Sequence, residues 1–420
     1  MERMFEVAAG LDVHRDTVAV SVRRRLNSRE EVKTRTFGTF HDDLNAMGQW
    51  LREQGAEVVG LESTGVYWQP VARAVRSHLA KALLWLVNPL HVRKVPGRKS
   101  DVSDSQWLSK LVMYGLVQPS FMPGEALQEL RKLTRHRTKL CADQTRYKNR
   151  ILKEMESSGI KLASVCSDAL GTTGRALLDA MLSGDRLDEA AILARARGKL
   201  RNRAADLRRA VEAEISSSTR LVLRQLLRRL DDLSTDIADL QVQIAKLAAP
   251  MSSDIERLTA MPGIDEIAAT AILAEMGTDM SLFHSAKHIS SWAGLSPGSE
   301  QSAGKSKNAP TRKGNKYLRT ILVQAAMAAK NTKGSFWQAK FRRLARLGPK
   351  KAAVALARSM ITAIFHMLRS SLPYREPNSI PPPPHRIRAR VSALTAQLRA
   401  LGFDVTLTDR PEPAPQPAVS

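Results

Sequence analysis

Asp12, Glu62, Asp101 and Asp104 each stand at or near the end of an apolar stretch or the start of a helix. Asp12 follows Val7-Ala8-Ala9-Gly10-Leu11, and Glu62 follows Val58-Val59-Gly60-Leu61. Both therefore fall near the carboxyl ends of buried strands, where open sheets place their sites. Asp101 and Asp104 lie three residues apart, on one face of a helix at its first turn. Ser100 or Asp101 can cap that helix, and Asp104 falls near its positive end. Four carboxylates converging without a counter-ion would raise one another's pKa; two Mg²⁺ ions remove the conflict and accept oxygen ligands of this type. Taken singly these residues have plainer accounts, Asp101 and Asp104 as a cap and a solvated acid, Asp12 as a turn residue. Taken together they point to a divalent-cation site for phosphodiester chemistry.

The charge of the chain agrees with such a substrate. Across 420 residues, 65 Lys and Arg oppose 41 Asp and Glu, leaving a net charge of +24. That balance points to nucleic acid first and an anionic membrane second. No run of roughly 18 apolar residues supports a membrane span, since even residues 352–368 are interrupted by Arg358 and His366. The opening Met-Glu-Arg-Met-Phe-Glu lacks the basic-then-apolar order of a signal peptide. Cys141 and Cys166 alone make neither a disulfide framework nor a zinc site, so the expectation is a reducing cytoplasm.

A second group of reactive residues lies far along the chain. Residues 292–307 and 312–319 are small, flexible and cationic, with Lys305, Lys307, Arg312 and Lys313 among them. Composition alone favours a phosphate-binding loop. The catalytic alternative is a nucleophilic serine: Ser302-Ala303-Gly304-Lys305 offers a hydroxyl, local positive charge and a backbone that permits close approach. Ser299 and Ser306 flank it as alternative nucleophiles, and no histidine stands nearby in sequence as base. Upstream, residues 258–273 resemble a helix-hairpin-helix whose Pro262-Gly263-Ile264 turn would offer N–H groups to a DNA phosphate, or else form an ordinary helical hairpin.

The elements that must position these residues follow from periodicity. Residues 5–24 alternate as two strands joined at His14-Arg15-Asp16, and 32–38 read as a third. Residues 42–54 have helical spacing, 58–61 form a buried strand, a helix passes through Val71 and Val75, and 83–87 form another strand. Three strands, helix, strand, helix, strand is an α/β order that suits a mixed sheet with flanking helices, as in the ribonuclease H-like group. A helix beginning near Val102 closes this domain, residues 1–124.

Residues 125–250 are basic and helical. Positions 131–153 hold nine Lys or Arg against Asp143 alone. Arg131, Lys132, Arg135, Arg146 and Arg150 there are either an RNA- or DNA-backbone surface or a solvated charged face. Leu223, Leu226, Leu230, Leu233, Ile237, Leu240, Ile244 and Leu247 form a heptad seam, a coiled coil within the chain or between subunits, stopped by Pro250. Residues 251–372 are mainly α and very basic; between Gln301 and Arg375 there are 17 Lys or Arg and no acid. Residues 373–420 read as a proline-rich, disordered tail, with a short amphipathic helix over 391–401.

Glu62-Ser-Thr-Gly-Val-Tyr-Trp68, residues 87–104 and residues 293–319 resemble the insertion-sequence-110 transposases, the bridge-RNA-guided DEDD recombinases of mobile elements. The resemblance covers roughly residues 5–155 and 251–370. It implies a RuvC-like N-terminal domain whose metal-binding, catalytic acids are Asp12, Glu62, Asp101 and Asp104, holding Mg²⁺. It implies a C-terminal transposase domain whose nucleophile is Ser302, linked covalently to DNA as a phosphoserine. It further implies strand exchange through a Holliday-junction-like intermediate, and a noncoding RNA pairing with donor and target DNA. The implied assembly is a dimer or tetramer in which one subunit's carboxylates serve another's serine, on the nucleoid of a bacterial cytoplasm. The alternatives are a metal-dependent junction endonuclease in which water attacks, and a non-enzymatic nucleic-acid-binding protein.

Overall fold

The computed structural model describes residues 4–26, 29–62, 65–88, 92, 104–298, 300–302, 305–307, 311, 313–376 and 384–407, with backbone alone at 26, 300–302, 305–307, 384–387 and 390. The chain divides into two compact units, Met1–Glu129 and Leu130–Ser420.

In the first unit the alternating stretches become β1 (Val7–Val13), β2 (Thr17–Leu26) and β3 (Arg29–Gly38), an antiparallel meander. Then come α1 (His41–Glu53), β4 (Val58–Glu62), α2 (Trp68–His78), β5 (Leu83–Val87), α3 (Asp104–Met113) and β6 (Pro119–Ser120). The sheet order is β3-β2-β1-β4-β5-β6. β1, β4 and β5 run parallel, with Leu11 beside Leu61 and Leu61 beside Leu86, and β6 closes the edge antiparallel. The helix-strand alternation expected from periodicity is the order observed.

Both faces of the central strands are covered, which is why β1 and β4 read as continuous apolar runs. One face buries Ala9, Leu11, Val20, Val59 and Leu61 against Leu44, Met47 and Leu51 of α1 and Val71 and Val75 of α2. The other buries Ala8, Val58 and Val87 against Trp107, Leu108, Leu111 and Val112 of α3.

The second unit is helical apart from one hairpin. Its spine is α4 (Glu125–Ser157), which begins in the last residues of the first unit, and α9 (Ser217–Ala248). Ser158 meets Thr219 at 3.5 Å and Gln144 meets Ser234 at 3.0 Å, so α9 runs antiparallel to α4. The apolar seam of α9 is thus met by a helix of the same chain. Leu223, Leu227, Leu230 and Ile244 are buried, but Leu247 is 41% exposed and Ala248 takes its place. A helix of 3.6 residues per turn drifts off a strict seven-residue repeat, which moves the buried stripe by one residue over this length. Between them α5 (Leu162–Val165), α6 (Thr172–Ser183), α7 (Glu189–Arg195) and α8 (Ala204–Val211) pack on the end of the hairpin around Ile151, Leu177, Leu207 and Leu223.

The remaining elements are α10 (Ser252–Thr259), α11 (Glu266–Met276), α12 (Ala286–Trp292), β7 (Glu300–Ser302), β8 (Lys305–Lys307), α13 (Lys316–Ala329), α14 (Phe336–Leu344), α15 (Pro349–Ser370) and α16 (Pro384–Ala400). α15 packs against α12, α13 and α14. It is long and apolar enough, by length and composition, to cross a membrane. Its Leu356, Met360, Ile361 and Ile364 are wholly buried in the core of this unit. Residues 125–250 and 251–372, expected as separate domains, fall in one compact unit apart from its first five. Within the stretch expected to be a disordered tail, α16 is helical from Pro384, a residue whose fixed φ is tolerated in a first helical turn. Pro381, Pro382, Pro383 and residues 408–420 lie outside the described residues.

Candidate active site

Two glycines set the carboxylate end of the first unit. A Cβ on Gly10 would stand 2.3 Å from both the Ser105 carbonyl oxygen and the Ser109 nitrogen; one on Gly60 would stand 2.5 Å from a Val112 methyl. Only glycine lets the α3 backbone approach β1 this closely. The Met113 carbonyl accepts from Met4 N at 2.9 Å, so α3 ends where β1 begins and starts where β1 ends.

Side chains alternate across a strand, so Asp12 shares the face of Gly10, and Glu62 that of Gly60. Since Leu11 pairs with Leu61, Asp12 and Glu62 come next to each other at the ends of adjacent parallel strands. Asp104, the first residue of α3, stands at the same end, one residue before Ser105 on Gly10. The fold therefore brings Asp12, Glu62 and Asp104 to one end of one sheet face, under a helix N-terminus that favours negative charge. Asp101 lies outside the described residues. Among the described residues no three His, Cys, Asp or Glu side chains form a metal-sized group.

Sequence reading missed the residues that hold α3 in place. Ser21 bonds Ser105 at 2.8 Å across the β2–α3 interface. Arg23, 10% exposed at its side chain, reaches the Gln106 carbonyl at 3.2 Å and Glu30 at 2.5 Å. Burial would raise the Glu30 carboxyl, but hydrogen bonds from Tyr114 and Arg23 outweigh it and hold the group below its ordinary 4.5. His14, read only as part of a turn, has Nε2 3.2 Å from Asp12 Oδ2.

In the second unit β7 and β8 form a two-stranded hairpin with Ser302 paired to Lys305 and Gln301 to Ser306. Of these residues and Lys307 the backbone alone is described; Ser299 and Arg312 lie outside the described residues. The hairpin returns through a bridge between Pro297 and Thr311. Its root is pinched where a Cβ on Gly314 would meet Gly294 N at 2.3 Å, and Asn315 N donates to the Trp292 carbonyl at 2.9 Å.

Two family models match the chain, and the first runs past the boundary between the units to the end of α4. Residues 9–158 match a DEDD model of IS110 elements described as Transposase, and residues 255–342 match a model described as Transposase IS116/IS110/IS902 family. Together they span more than half of the sequence. The chain belongs to the IS116/IS110/IS902 transposase family. It is 29% identical to the transposase for insertion sequence element IS1111A of Coxiella burnetii, over 37% of this chain and 43% of that protein. It is 31% identical to a probable family 20 transposase of Pseudomonas aeruginosa, over 37% of this chain and 46% of that protein. The chain thus spans less than half the length of these curated relatives. Asp12, Glu62, Asp101 and Asp104 lie inside the first family match; Gly263 and Ser302 lie inside the second.

Within the second family segment Glu275, 1% exposed, is the centre of a buried network. Arg135 donates to its two oxygens at 2.6 and 2.8 Å, and Asn315 Nδ2 donates at 2.6 Å. Arg131 donates to the Ala274 and Glu275 carbonyls at 3.1 and 2.5 Å. Burial pushes the Arg131 guanidinium down to about 10, against the pull of Glu275. Asn315 Oδ1 in turn accepts from Tyr317 N and Leu318 N, capping α13 just after the hairpin. Arg131 and Arg135 are therefore corrected: they are committed to Glu275, not displayed as a polynucleotide surface. The cause was out of view in sequence, a partner 140 residues away.

Gly263 has a packing role as well. It has φ +87°, and a Cβ there would lie 2.4 Å from the Ala325 carbonyl and 2.6 Å from Ala329 N. The glycine lets the α10–α11 turn seat on α13. Lys132 and Lys313 are exposed. Arg146 pairs with Asp143 one turn back, and the Arg150 guanidinium lies 5.2 Å from the Tyr147 ring centre.

Proposed function

We propose that this chain is a DNA transposase of an insertion sequence, cutting and rejoining strands with carboxylates of its first unit and a serine of its second. The observation that carries the reading is the in-register placement of Asp12 and Glu62 beside the first residue of α3, Asp104. An all-carboxylate donor set suits a hard cation, and Asp12, Glu62, Asp104 and Asp101 are the residues that would hold Mg²⁺. When bound, the ion supplies charge neutralisation at the phosphoryl oxygens.

Ser302 is the proposed nucleophile. Its Oγ attacks phosphorus, the bond from phosphorus to one sugar oxygen breaks, and that oxygen leaves with a proton. The serine phosphodiester keeps the energy of the cut bond for rejoining. Lys305 and Lys307 on the adjacent strand, with Arg312 and Lys313, are the proposed phosphate partners. The family resemblance supports a noncoding bridge RNA as guide, donor and target DNA as substrates, and a dimer or tetramer on the bacterial nucleoid as the acting form.

The test is trapping on nicked or junction DNA with Mg²⁺. The wild-type chain is expected to give a covalent protein–DNA adduct that Ser302→Ala and Asp104→Ala both abolish while nucleic-acid binding persists. Adducts from Ser302→Ala would place the nucleophile elsewhere. Cleavage with no adduct from any variant would make water the attacking group and the protein a junction endonuclease.

A further inference from the structure

A cleft of about 950 Å³ opens in the second unit between α4, α9, α11 and α13. It is at the upper end of the size of pockets that hold ordered organic ligands. Its lining is mixed: Ile244, Ile267 and Ile321 are apolar, Thr138, Thr145 and Gln324 carry hydroxyls and an amide. Ile267 is 40% exposed there, an apolar side chain without cover in this unit.

Three cations border the cleft, and they are not alike. Arg135 is taken by Glu275, and its guanidinium lies 4.4 Å from the Tyr317 ring centre. Lys316 is exposed beside the same ring. Arg137 stands apart: its Nε is buried with no hydrogen-bond partner. A buried guanidinium nitrogen without an acceptor is costly, and buried polar atoms of this kind nearly always have a partner. Asp265 at the rim is occupied as the cap of α11, its Oδ1 accepting from Ala268 N at 2.7 Å.

We infer that this cleft holds an unpaired stretch of polynucleotide, with a phosphate on Arg137 and a base against the isoleucine floor. The Arg137 side chain lines the cleft beside Lys316, and a phosphate is the partner that guanidinium favours in charge-assisted geometry. An apolar floor with polar rims suits a base only when the base is unstacked, because a duplex hides its faces. The charge fits as well: α4 and α13 bring Arg137 and Lys316 to a chain of net charge +24. The inference rests on the nucleic-acid reading above, but concerns a site separate from the reacting residues.

Cys141 lines the cleft and is partly exposed, whereas Cys166, the other cysteine, is buried. Alkylation of Cys141 in the full chain, read by peptide mapping with Cys166 as internal control, therefore reports occupancy. Single-stranded 15-mers of DNA and of RNA, each at about ten times its Kd, are expected to slow Cys141 alkylation roughly tenfold by mass action in at least one arm. Arg137→Gln is expected to weaken that oligonucleotide about tenfold, and Ala142→Trp, on the exposed rim, to abolish the protection with the chain still folded. Oligonucleotide binding with Cys141 unprotected would overturn the cleft assignment and leave the transposase reading standing. Slowing that follows protein concentration without oligonucleotide would overturn it in favour of a second copy of the chain. Absence of all oligonucleotide binding would overturn both readings.

Discussion

Gly10 and Glu30 decide, residue by residue, whether the carboxylates can meet. Gly10 has no side chain because the α3 backbone occupies that space, with Ser105 and Ser109 2.3 Å from where a Cβ would be. Backbone atoms of a packed helix cannot give way as a flexible side chain does. Gly10→Ala is therefore expected to cost about 1–3 kcal/mol and to move the Asp104 end of α3 off the sheet. Thermal unfolding checks the first effect; loss of strand cleavage with DNA binding intact checks the second. Glu30 acts through Arg23, which holds α3 by the Gln106 carbonyl. Its folded pKa lies below the ordinary 4.5, so the stability it gives is present above 4.5 and is lost as pH falls through the folded value. Glu30→Gln should be less stable than wild type at pH 7, by about 1 kcal/mol or less for a partly exposed pair. The gap should close in acid. A gap that stays constant from pH 7 to 3 would show that the carboxylate charge is not what matters.

At the scale of elements, what could be read in advance depended on whether the partner was local. The first unit was legible because alternation and short apolar runs specify strands, and strand ends specify where Asp12 and Glu62 come to lie. The glycines inside those runs were not: a strand glycine equally fits a bulge, and only the position of α3 explains Gly10 and Gly60. On α4 the lysines and arginines looked alike. Lys132 is solvated, while Arg131 and Arg135 turn inward to Glu275 on α11, a pairing that no local spacing encodes. For α9 the apolar stripe was plain in sequence, and its partner α4 was not. The Glu275 network ties α4, α11 and the cap of α13 together. Glu275→Ala would leave Arg131 buried and Arg135 partly buried without a carboxylate, at a cost of about 3 kcal/mol, the low end for a broken buried pair. Chemical denaturation should show that loss in the transition of the second unit. Arg135→Met with Glu275→Leu, replacing the pair by apolar groups, should recover part of it. Equal stability of wild type and Glu275→Ala would remove this network from the account.

For the whole molecule, the carboxylates proposed to hold the metal lie in one compact unit and the serine proposed as nucleophile in the other. One transposase model matches the first unit and continues along α4 into the second, another matches residues 255–342, and the α5–α8 cluster on the end of the helical hairpin lies outside both. Basic side chains run through both units, which suits a protein that must hold polyanions wherever they pass. The proposed strand chemistry requires the carboxylate end of the first unit to bind a divalent cation. Bound Mn²⁺, counted by electron paramagnetic resonance on the DNA-free chain, tests that most directly. The wild-type chain should retain ions that the double variant Asp12→Asn, Glu62→Gln releases, with its circular dichroism unchanged. Equal Mn²⁺ binding by a correctly folded double variant would contradict the account.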